Sequence, residues 1–345
     1  MSKKYRVIQW GMGLCGTPAV RMMLRKKSIE MVGVIVNRPE KAGRDVGELA
    51  GEEAVGILAS NDIGKVLGRD ADVVIHMTSS SMMEMGTWDK NKDEILLALN
   101  ARKNVITTTG FLYPWRSYPD MCRELDETAK RNGVTLLGTG AAPGFHPDLL
   151  PLLLTGSVAR VDHILIKQWE DDTPVTAAWL HYLGYGKDPG EIGDEGTNKI
   201  KQALIHFYSE SIHFLADALG WDITEIRTQS EYFTAKETLQ IAQGEIRPGT
   251  ICAQKLIIDA LRGEKAVITI EQVFKVCPDK VKEPEGTNSI WIDSRPTVGL
   301  ELTGNWWHWV GPITGFHAVN CIPQVVAAAP GFVSHRDLPL SAAIG

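Results

Sequence analysis

The sequence predicts an α/β protein: a parallel sheet with helices on both faces in the first part of the chain, followed by a second α+β domain. Three observations predict this class. Apolar, strand-like runs alternate with helical segments up to Pro147, a glycine-rich turn follows the first run, and longer strand-like runs take over beyond Pro147. Alternation of strand and helix is typical of a doubly wound parallel sheet, whose ligands bind beyond the carboxyl ends of its strands.

The first apolar run leads directly into the turn Gly11-Met-Gly-Leu-Cys-Gly16. In such a turn the first glycine allows a sharp bend, the second leaves room for a pyrophosphate, and the third lets the next helix pack closely on the sheet. The N-terminus of that helix offers unpaired N–H groups to the phosphates. Because a strand precedes the turn and a helix and a second strand follow it, the sequence predicts a Rossmann-type dinucleotide-binding domain. The turn residues expected to bind the dinucleotide are Gly11, Met12, Gly13, Leu14, Cys15 and Gly16.

The alternation continues through three further strand-like runs, residues 71–78, 104–109 and 134–138, with helices around 63–67, 92–101 and 119–132. The carboxyl ends of parallel strands meet at one edge of the sheet, so the loops after these strands should join the glycine turn in a single site. The loop residues expected to contact the cofactor are Asn37, Arg38, Thr78, Ser79, Ser80, Thr108, Thr109 and Gly110.

The residues after the second strand indicate which dinucleotide binds. An Asp or Glu at this place accepts hydrogen bonds from the ribose 2′-hydroxyl of NAD(H), whereas a 2′-phosphate requires a cation instead. This chain has Asn37 and Arg38 there, followed by Lys41. We therefore expect NADP(H) to be preferred. The alternative is that Arg38 is a solvated loop charge and that NAD(H) is used as well.

The pattern changes near Pro147, and we expect three segments: a dinucleotide-binding domain over 1–147, a substrate and dimerisation domain over 148–315, and a C-terminal helix and tail over 316–345 that returns to the first domain. In the second domain, residues 161–168, 266–276 and 297–303 are interpreted as strands, and 198–219 and 251–262 as helices. This mixture predicts a mixed or antiparallel sheet. We also expect a homodimer formed through that sheet.

Composition excludes several classes of protein. The 345-residue chain is 44% hydrophobic and 23% charged, with a net charge of −6, which gives no electrostatic reason to expect a nucleic-acid partner. The sequence shows neither a signal peptide nor an apolar run long enough to span a bilayer. Its five cysteines lack the spacings of a zinc site or a disulfide framework, and His308 and His317 have no nearby third ligand in the sequence. We expect a cytoplasmic protein without a metal.

Four segments carry a family resemblance. Val105–Phe111 resembles the Gly-Thr-Thr-Gly-Phe loop of dihydrodipicolinate reductases, and segments 41–51, 133–151 and 318–326 look like those of the 2,4-diaminopentanoate dehydrogenases and native amine dehydrogenases. The resemblance covers nearly the whole chain. It implies NAD(P)(H)-dependent hydride transfer to or from a carbon that bears an amine or imine. It also implies that Asn320, on the returning tail, contacts the nicotinamide or the substrate.

Two departures from these families bear on the reaction. The paired histidines and the Lys-Ser-Gly-Thr segment of dihydrodipicolinate reductases do not occur here, so that reaction is not expected. Where amine dehydrogenases carry a glutamate, just after the strand that ends at Thr109, this chain has Gly110, Phe111 and Leu112. NADPH-dependent reduction of a ketone or aldehyde without amine chemistry is therefore an open alternative. A non-catalytic dinucleotide sensor is a further one.

Hydride transfer to C=O or C=N needs little beyond positioning and a proton or hydrogen-bond donor. The candidate catalytic residues are His146, which follows the fifth strand and titrates in a useful range, and Tyr113, which follows the Thr-Thr-Gly loop. The alternatives are a packing histidine at a domain hinge and an aromatic wall. Asp148 is interpreted as a helix cap rather than an acid.

The substrate pocket is expected to be lined by Phe111, Trp169 and His181. The acidic run Glu170-Asp171-Asp172 is a candidate for binding a cationic substrate group, and an exposed acidic turn is its alternative. The cluster Trp306-Trp-His-Trp309 is interpreted as strand faces or a subunit contact rather than as part of a cofactor site.

Overall fold

The structure, a computed structural model, describes residues 4–82, 86–175, 177–192, 194–304, 306 and 310–344. The chain forms two compact units. Unit 1 comprises Met1–Phe145 and Gly311–Gly345, and unit 2 comprises His146–Val310. Each unit has its own six-stranded sheet.

Parallel strands make up the sheet of unit 1. The strands are β1 (Tyr5–Trp10), β2 (Ile29–Ile35), β3 (Val73–His76), β4 (Asn104–Thr107), β5 (Thr135–Gly138) and β14 (Gly331–Val333). Their order along the sheet is β2-β1-β3-β4-β5-β14, and each described neighbouring pair is parallel. The central strands are almost fully buried, as expected where helices cover both faces.

The helices, in chain order, are α1 (Gly16–Leu24), α2 (Val46–Ala50), α3 (Ile63–Leu67), α4 (Asp89–Asn100), α5 (Pro119–Asn132), α6 (Leu149–Thr155), α7 (Ala177–Tyr182), α8 (Asp194–Leu219), α9 (Val310–Asn320) and α10 (Ile322–Ala327). Short 3₁₀ turns occupy Pro39–Lys41 and Pro189–Glu191. Helix α1 buries Ala19, Val20 and Met23, which recur at helical spacing. Within the described ranges, no helix combines the length and the apolar character needed to cross a bilayer.

Unit 2 is built on a mixed sheet. Its strands are β6 (Val161–Asp171), β7 (Glu225–Thr234), β10 (Ile251–Arg262), β11 (Lys265–Lys275), β12 (Ser289–Ser294) and β13 (Val298–Glu301), in the order β13-β12-β6-β11-β10-β7. Strands β6 and β11 are parallel, and the other described neighbours are antiparallel. A small hairpin is formed by β8 (Leu239–Ile241) and β9 (Gly244–Ile246). The predicted fold class, a doubly wound parallel sheet and a second mixed sheet, is confirmed.

Two assignments made from the sequence are wrong. Ile251–Arg262 is strand β10, not a helix, because it is hydrogen-bonded to β11 on one side and to β7 on the other. The single C-terminal helix expected from residue 316 onward is broken at Cys321 into α9 and α10, with Pro323 in the first turn of α10. After α10 the chain adds strand β14 to the edge of the parallel sheet, an element the sequence did not indicate.

Candidate cofactor site

The glycine turn after β1 opens onto a cavity, and its three glycines are required for different reasons. Gly11 has φ +99°, and a Cβ there would overlap the carbonyl oxygen of Met77. A Cβ on Gly16 would overlap the carbonyl oxygen of Gly11. Around Gly13, by contrast, a Cβ would meet nothing within 4 Å. The backbone of Gly13 therefore borders open space, as expected for the position that a pyrophosphate approaches.

The cavity has a volume of about 470 Å³. It lies at the carboxyl ends of β1, β2 and β3 and at the N-terminus of α1, where the sheet topology places ligands. Its lining residues are Gly11, Met12, Gly13, Leu14, Thr17, Pro18, Val36, Asn37, Arg38, Lys41, Met77, Thr78 and Ser79. The lining thus brings together many of the predicted cofactor residues. Cys15, Gly16, Ser80, Thr108, Thr109, Gly110 and Asn320 are not among its lining residues.

Two cations border the cavity on the loop after β2. Lys41 donates a hydrogen bond from Nζ to the carbonyl oxygen of Met12, at 2.6 Å, and so joins this loop to the glycine turn. Arg38 is exposed, and its guanidinium makes no hydrogen bond or ion pair with any described residue. The Arg38 donors are therefore available to an anion in the cavity.

A buried polar network, which sequence reasoning missed, holds the ends of β3 and β4. The Nδ1 atom of His76 lies 2.9 Å from Thr107 Oγ1. Its Nε2 atom lies 2.9 Å from Glu94 Oε2. Thr78 donates to the same Glu94 oxygen, and Asn91 donates to the Thr78 hydroxyl. Burial raises the pKa of Glu94, but the interactions with His76, Thr78 and Asn91 outweigh it and hold the pKa below its usual value. The network therefore fixes the side chain of Thr78, which lines the cavity, through residues that do not line it.

The predicted nicotinamide-end loop, Thr108–Phe111, packs against an aromatic ring. Gly110 has φ +103°, and a Cβ there would overlap the indole of Trp88. Thr109 is buried and lies within 2.9 Å of Thr107 through their hydroxyl groups. Phe111 is fully buried, with its ring centroid 4.7 Å from that of Trp88. Phe111 thus packs against Trp88, and its predicted contact with a substrate stays a prediction.

Two further predicted residues of unit 1 make contacts with the C-terminal tail. The hydroxyl oxygen of Tyr113 lies 3.3 Å from a guanidinium nitrogen of Arg336. Asn320, at the end of α9, accepts a hydrogen bond through Oδ1 from the backbone N–H of Ile344, at 3.3 Å. The roles suggested for Tyr113 as a proton donor and for Asn320 at the nicotinamide stay predictions.

His146 is the first residue of unit 2 and is fully buried. The amide nitrogen of Gln168 donates to its Nδ1, at 2.9 Å. Burial lowers the pKa of His146 to about 3, so its ring is neutral at physiological pH. A neutral imidazole can orient a group by hydrogen bonding, but it does not titrate in the range for which the sequence made it a candidate. Asp148 caps α6 by accepting from the backbone N–H of Leu149.

A pair of carboxyl groups lies at the end of β6. Asp172 is buried and accepts hydrogen bonds from the indole of Trp179, at 3.1 Å, and the hydroxyl of Tyr185, at 2.7 Å. Burial raises the pKa of Glu170 to about 7. Burial, reinforced by the negative charge of Glu170, raises the pKa of Asp172 well above its usual range. Glu170 and Asp172 therefore do not form an exposed turn. Ionisation of one carboxyl group disfavours ionisation of the other.

Trp169 and His181 are the other two expected substrate contacts, and their role stays a prediction. Successive residues of a strand point to opposite faces of the sheet, so Trp169 lies on the face opposite Glu170. The Nζ of Lys275 lies 5.3 Å from the Trp169 ring centroid. His181, in α7, is exposed. Of the cluster at 306–309, residues 307–309 lie outside the described part of the chain.

Known proteins resemble this chain over its whole length. The 2,4-diaminopentanoate dehydrogenase C-terminal domain matches residues 145–345, and the dihydrodipicolinate reductase N-terminus matches residues 5–129. A 2,4-diaminopentanoate dehydrogenase from Acetoanaerobium sticklandii is 30% identical over 99% of this chain and 95% of its own. An amine dehydrogenase from Streptomyces virginiae is 27% identical over 98% of this chain and 97% of its own.

The fold is shared with solved structures. An amine dehydrogenase from Mycobacterium smegmatis superposes with a TM-score of 0.81 at 24% identity, covering 98% of this chain and 97% of the other. The resemblance predicted from the sequence is confirmed, and unit 1 contains an NAD(P)-binding domain. The chain is an NAD(P)-dependent oxidoreductase and belongs to the 2,4-diaminopentanoate dehydrogenase family.

Proposed function

We propose that this protein transfers a hydride between NADP(H) and a carbon that bears an amine or imine, and that NAD(H) is the weaker cofactor. The observation that carries the cofactor preference is the exposed Arg38 guanidinium at the cavity, which has no partner among the described residues. Asn37 beside it occupies the place where a carboxylate would repel a 2′-phosphate.

Two observations support amine chemistry. The curated relatives that cover nearly the whole chain are named for amine substrates, a diaminopentanoate in one and amines in the other. Unit 2 also contains the carboxyl pair of Glu170 and Asp172, which interact unfavourably when both are ionised. A substrate ammonium group would relieve that repulsion, so we assign recognition of the amine nitrogen to this pair.

Each group has a definite part in the proposed reaction. Bound NADP⁺ supplies the hydride acceptor when an amine is oxidised. The glycine turn and the N-terminus of α1 hold the phosphates, and the network of His76 and Glu94 fixes Thr78 at the cavity. With a pKa of about 7, Glu170 can give up or take up a proton near neutral pH, which removal of a proton from an ammonium group requires. His146 stays neutral and serves as a hydrogen-bonding group.

One observation favours a second function, reduction of a ketone or aldehyde without amine chemistry. Gly110, Phe111 and Leu112 occupy the place where related amine dehydrogenases carry a glutamate, and Phe111 is buried. If Glu170 and Asp172 do not take the role of that glutamate in amine chemistry, reduction of a carbonyl group is the function that the site supports. A homodimer and a cytoplasmic setting are parts of the proposal that stand on the sequence alone.

The test is oxidation of a panel of primary amines and diamino acids by the purified full-length chain with NADP⁺. We expect NADPH and free ammonium to form in equal amounts, because each hydride removed leaves an imine that water hydrolyses. Carbonyl compounds reduced by NADPH in the absence of ammonium, with no amine oxidised, would favour the second function. Tight binding of NADPH without turnover of any amine, imine or carbonyl would favour a sensor.

A further inference from the structure

Three side chains with metal-binding atoms come together in unit 1, away from the described cavity lining. His317 and Cys321 are four residues apart at the end of α9, and His335 follows β14. One ligand atom from each lies within 4.8 Å of the others. His317 and Cys321 are buried, and His335 is partly buried. In the sequence His335 is too far from the other two to be recognised, and the addition of β14 to the sheet is what brings it close.

The ring of His317 is oriented with one nitrogen unused. It is hydrogen-bonded to the backbone of Gly144, while its Nε2 is buried and has no hydrogen-bond partner among the described residues. The proton is therefore assigned to Nδ1, and the lone pair of Nε2 is free. A buried nitrogen without a partner is unfavourable, and a bound ion or water would supply the partner that it lacks. Metal-binding histidines characteristically use one nitrogen for the metal and donate the other N–H to a carbonyl or carboxylate.

The other two side chains fit the same arrangement. The Nε2 of His335 lies 2.7 Å from Thr139 Oγ1, which leaves Nδ1 for a ligand. Its ring stacks on that of His317, with the ring centroids 5.2 Å apart. Cys321 is 1% exposed, and a side-chain hydrogen bond links its thiol to Ser341. Each of the three groups is thus fixed by a second contact: Gly144, Thr139 or Ser341.

We propose that His317, Cys321 and His335 bind a zinc ion. Two imidazole nitrogens and one thiolate form a donor set that Zn²⁺ favours over Mg²⁺ or Ca²⁺, which require oxygen ligands. Three protein ligands leave a fourth position of the tetrahedron, which a water molecule can fill. The ligands come from the end of α9 and from the segment after β14, so the ion would join these two parts of the C-terminal region. Binding displaces the thiol proton to solvent.

The test measures zinc in the full-length protein. The protein is treated with a chelator, reconstituted with ZnCl₂ and dialysed, and its metal content is determined by mass spectrometry. Affinity is measured by competition with a chromophoric chelator. We expect one equivalent of Zn²⁺ per chain, and Co²⁺ in its place should give a thiolate charge-transfer absorption. Cys321→Ser and His335→Gln should each weaken Zn²⁺ binding at least tenfold.

Cys122→Ser is the matched control, because Cys122 is another buried cysteine of the same unit, on α5. It should keep full zinc affinity. The proposal is overturned if the reconstituted wild-type protein holds no stoichiometric Zn²⁺, or if the Cys321 and His335 variants bind as tightly as the control. Should Cys321→Ser fail to fold, the zinc affinity of His335→Gln and the cobalt spectrum of the wild-type protein test the proposed site. None of these measurements depends on amine oxidation.

Discussion

Arg38 and Lys41 lie close together on the loop after β2, but their charges are in different situations. Lys41 already donates to the carbonyl of Met12 and holds the loop against the glycine turn. The guanidinium of Arg38 makes no hydrogen bond or ion pair with the described residues. A 2′-phosphate could therefore bind Arg38 without breaking a bond within the protein, and binding would form charge-assisted hydrogen bonds.

Replacing Arg38 by alanine should separate the two cofactors. A hydrogen bond to a charged group contributes about 1.5–3 kcal/mol, so R38A should raise the Kd for NADPH by about 10- to 100-fold and leave the Kd for NADH nearly unchanged. Isothermal titration calorimetry gives both constants. The control is Arg44→Ala, because Arg44 is an exposed arginine six residues further on that does not line the cavity. Equal losses for NADPH and NADH would refute the 2′-phosphate role.

Glu94 serves the site without lining it. Its side chain is 12% exposed and accepts hydrogen bonds from Thr78 and Asn91, and it lies beside His76. The pKa of Glu94 is lower in the folded protein than its ordinary value of 4.5, so the folded state favours the carboxylate. The resulting stabilisation is complete above pH 4.5 and is lost as the pH falls through the lowered value.

Glu94→Gln should therefore destabilise the protein in a pH-dependent way. At pH 7 we expect a loss of about 1–3 kcal/mol in the free energy of unfolding, because the amide places a donor where the neighbours need an acceptor. The difference from wild type should shrink as the pH is lowered below 4.5. Urea denaturation across this range measures it. Asp93→Asn, an exposed position on the same helix, is the control. A loss independent of pH would argue against the carboxylate.

The sequence predicted the part of the site whose residues are close together along the chain. The glycine turn, Asn37 and Arg38 follow two consecutive strands, so spacing alone places them at one edge of the sheet. Glu94 was missed because its partner His76 is on another element, and nothing in their spacing links them. The burial that moves His146 out of its useful titration range is likewise a tertiary effect.

At the scale of elements, β10 shows why local pattern misled. Its apolar residues recur in clusters three and four apart, which resembles the stripe of an amphipathic helix. In the structure both edges of the strand are hydrogen-bonded, Ile258 lying beside Ile270 of β11 and Thr228 of β7. Much of both faces of β10 is buried, so apolar and polar residues alternate only weakly along the strand. The periodicity of such a segment does not distinguish a strand from a helix.

The loop between α2 and α3 depends on one carboxylate. Asp45 caps α2 by accepting from the backbone N–H groups of Gly47 and Glu48, and it also accepts from those of Val55 and Gly56. These hydrogen bonds join the start of α2 to the loop that follows it, at residues 55 and 56. By comparison, Asp62 caps α3 with a single hydrogen bond from Lys65.

Asp45→Ala should accordingly lower the melting temperature more than Asp62→Ala does. Four backbone donors lose their acceptor in the first variant and one in the second, and loss of an ordinary helix cap costs about 0.5–2 kcal/mol. Differential scanning fluorimetry of the two variants beside wild type gives the comparison. Similar melting temperatures for the two variants would show that the loop does not depend on Asp45.

At the scale of the whole molecule, the two units differ in how their sheets are assembled. In unit 1 most neighbouring strands are joined by the next helix, so the order of elements along the chain predicts the topology. In unit 2, Ile164 of β6 lies between Ile268 and Ile292, which are distant in the sequence. Such pairings leave no local signal, and the sequence therefore predicted the kind of sheet but not its order.

The same division applies to function. Unit 1 contains the dinucleotide cavity, and unit 2 contains the carboxyl pair of Glu170 and Asp172 to which we assign the amine nitrogen. Family membership is established over the whole chain. The proposed role of the carboxyl pair is to replace the glutamate that amine dehydrogenases carry where this chain has Gly110.

The fate of the hydride distinguishes amine chemistry from simple carbonyl reduction. NADPH deuterated at either face of nicotinamide C4 is supplied with a ketone or aldehyde and ammonium, and the products are analysed by mass spectrometry. We expect deuterium on the carbon that bears the new amine, from one of the two labelled forms, and no amine product when ammonium is left out. Deuterium found only in an alcohol, at the same rate with and without ammonium, would contradict hydride transfer at an amine-bearing carbon.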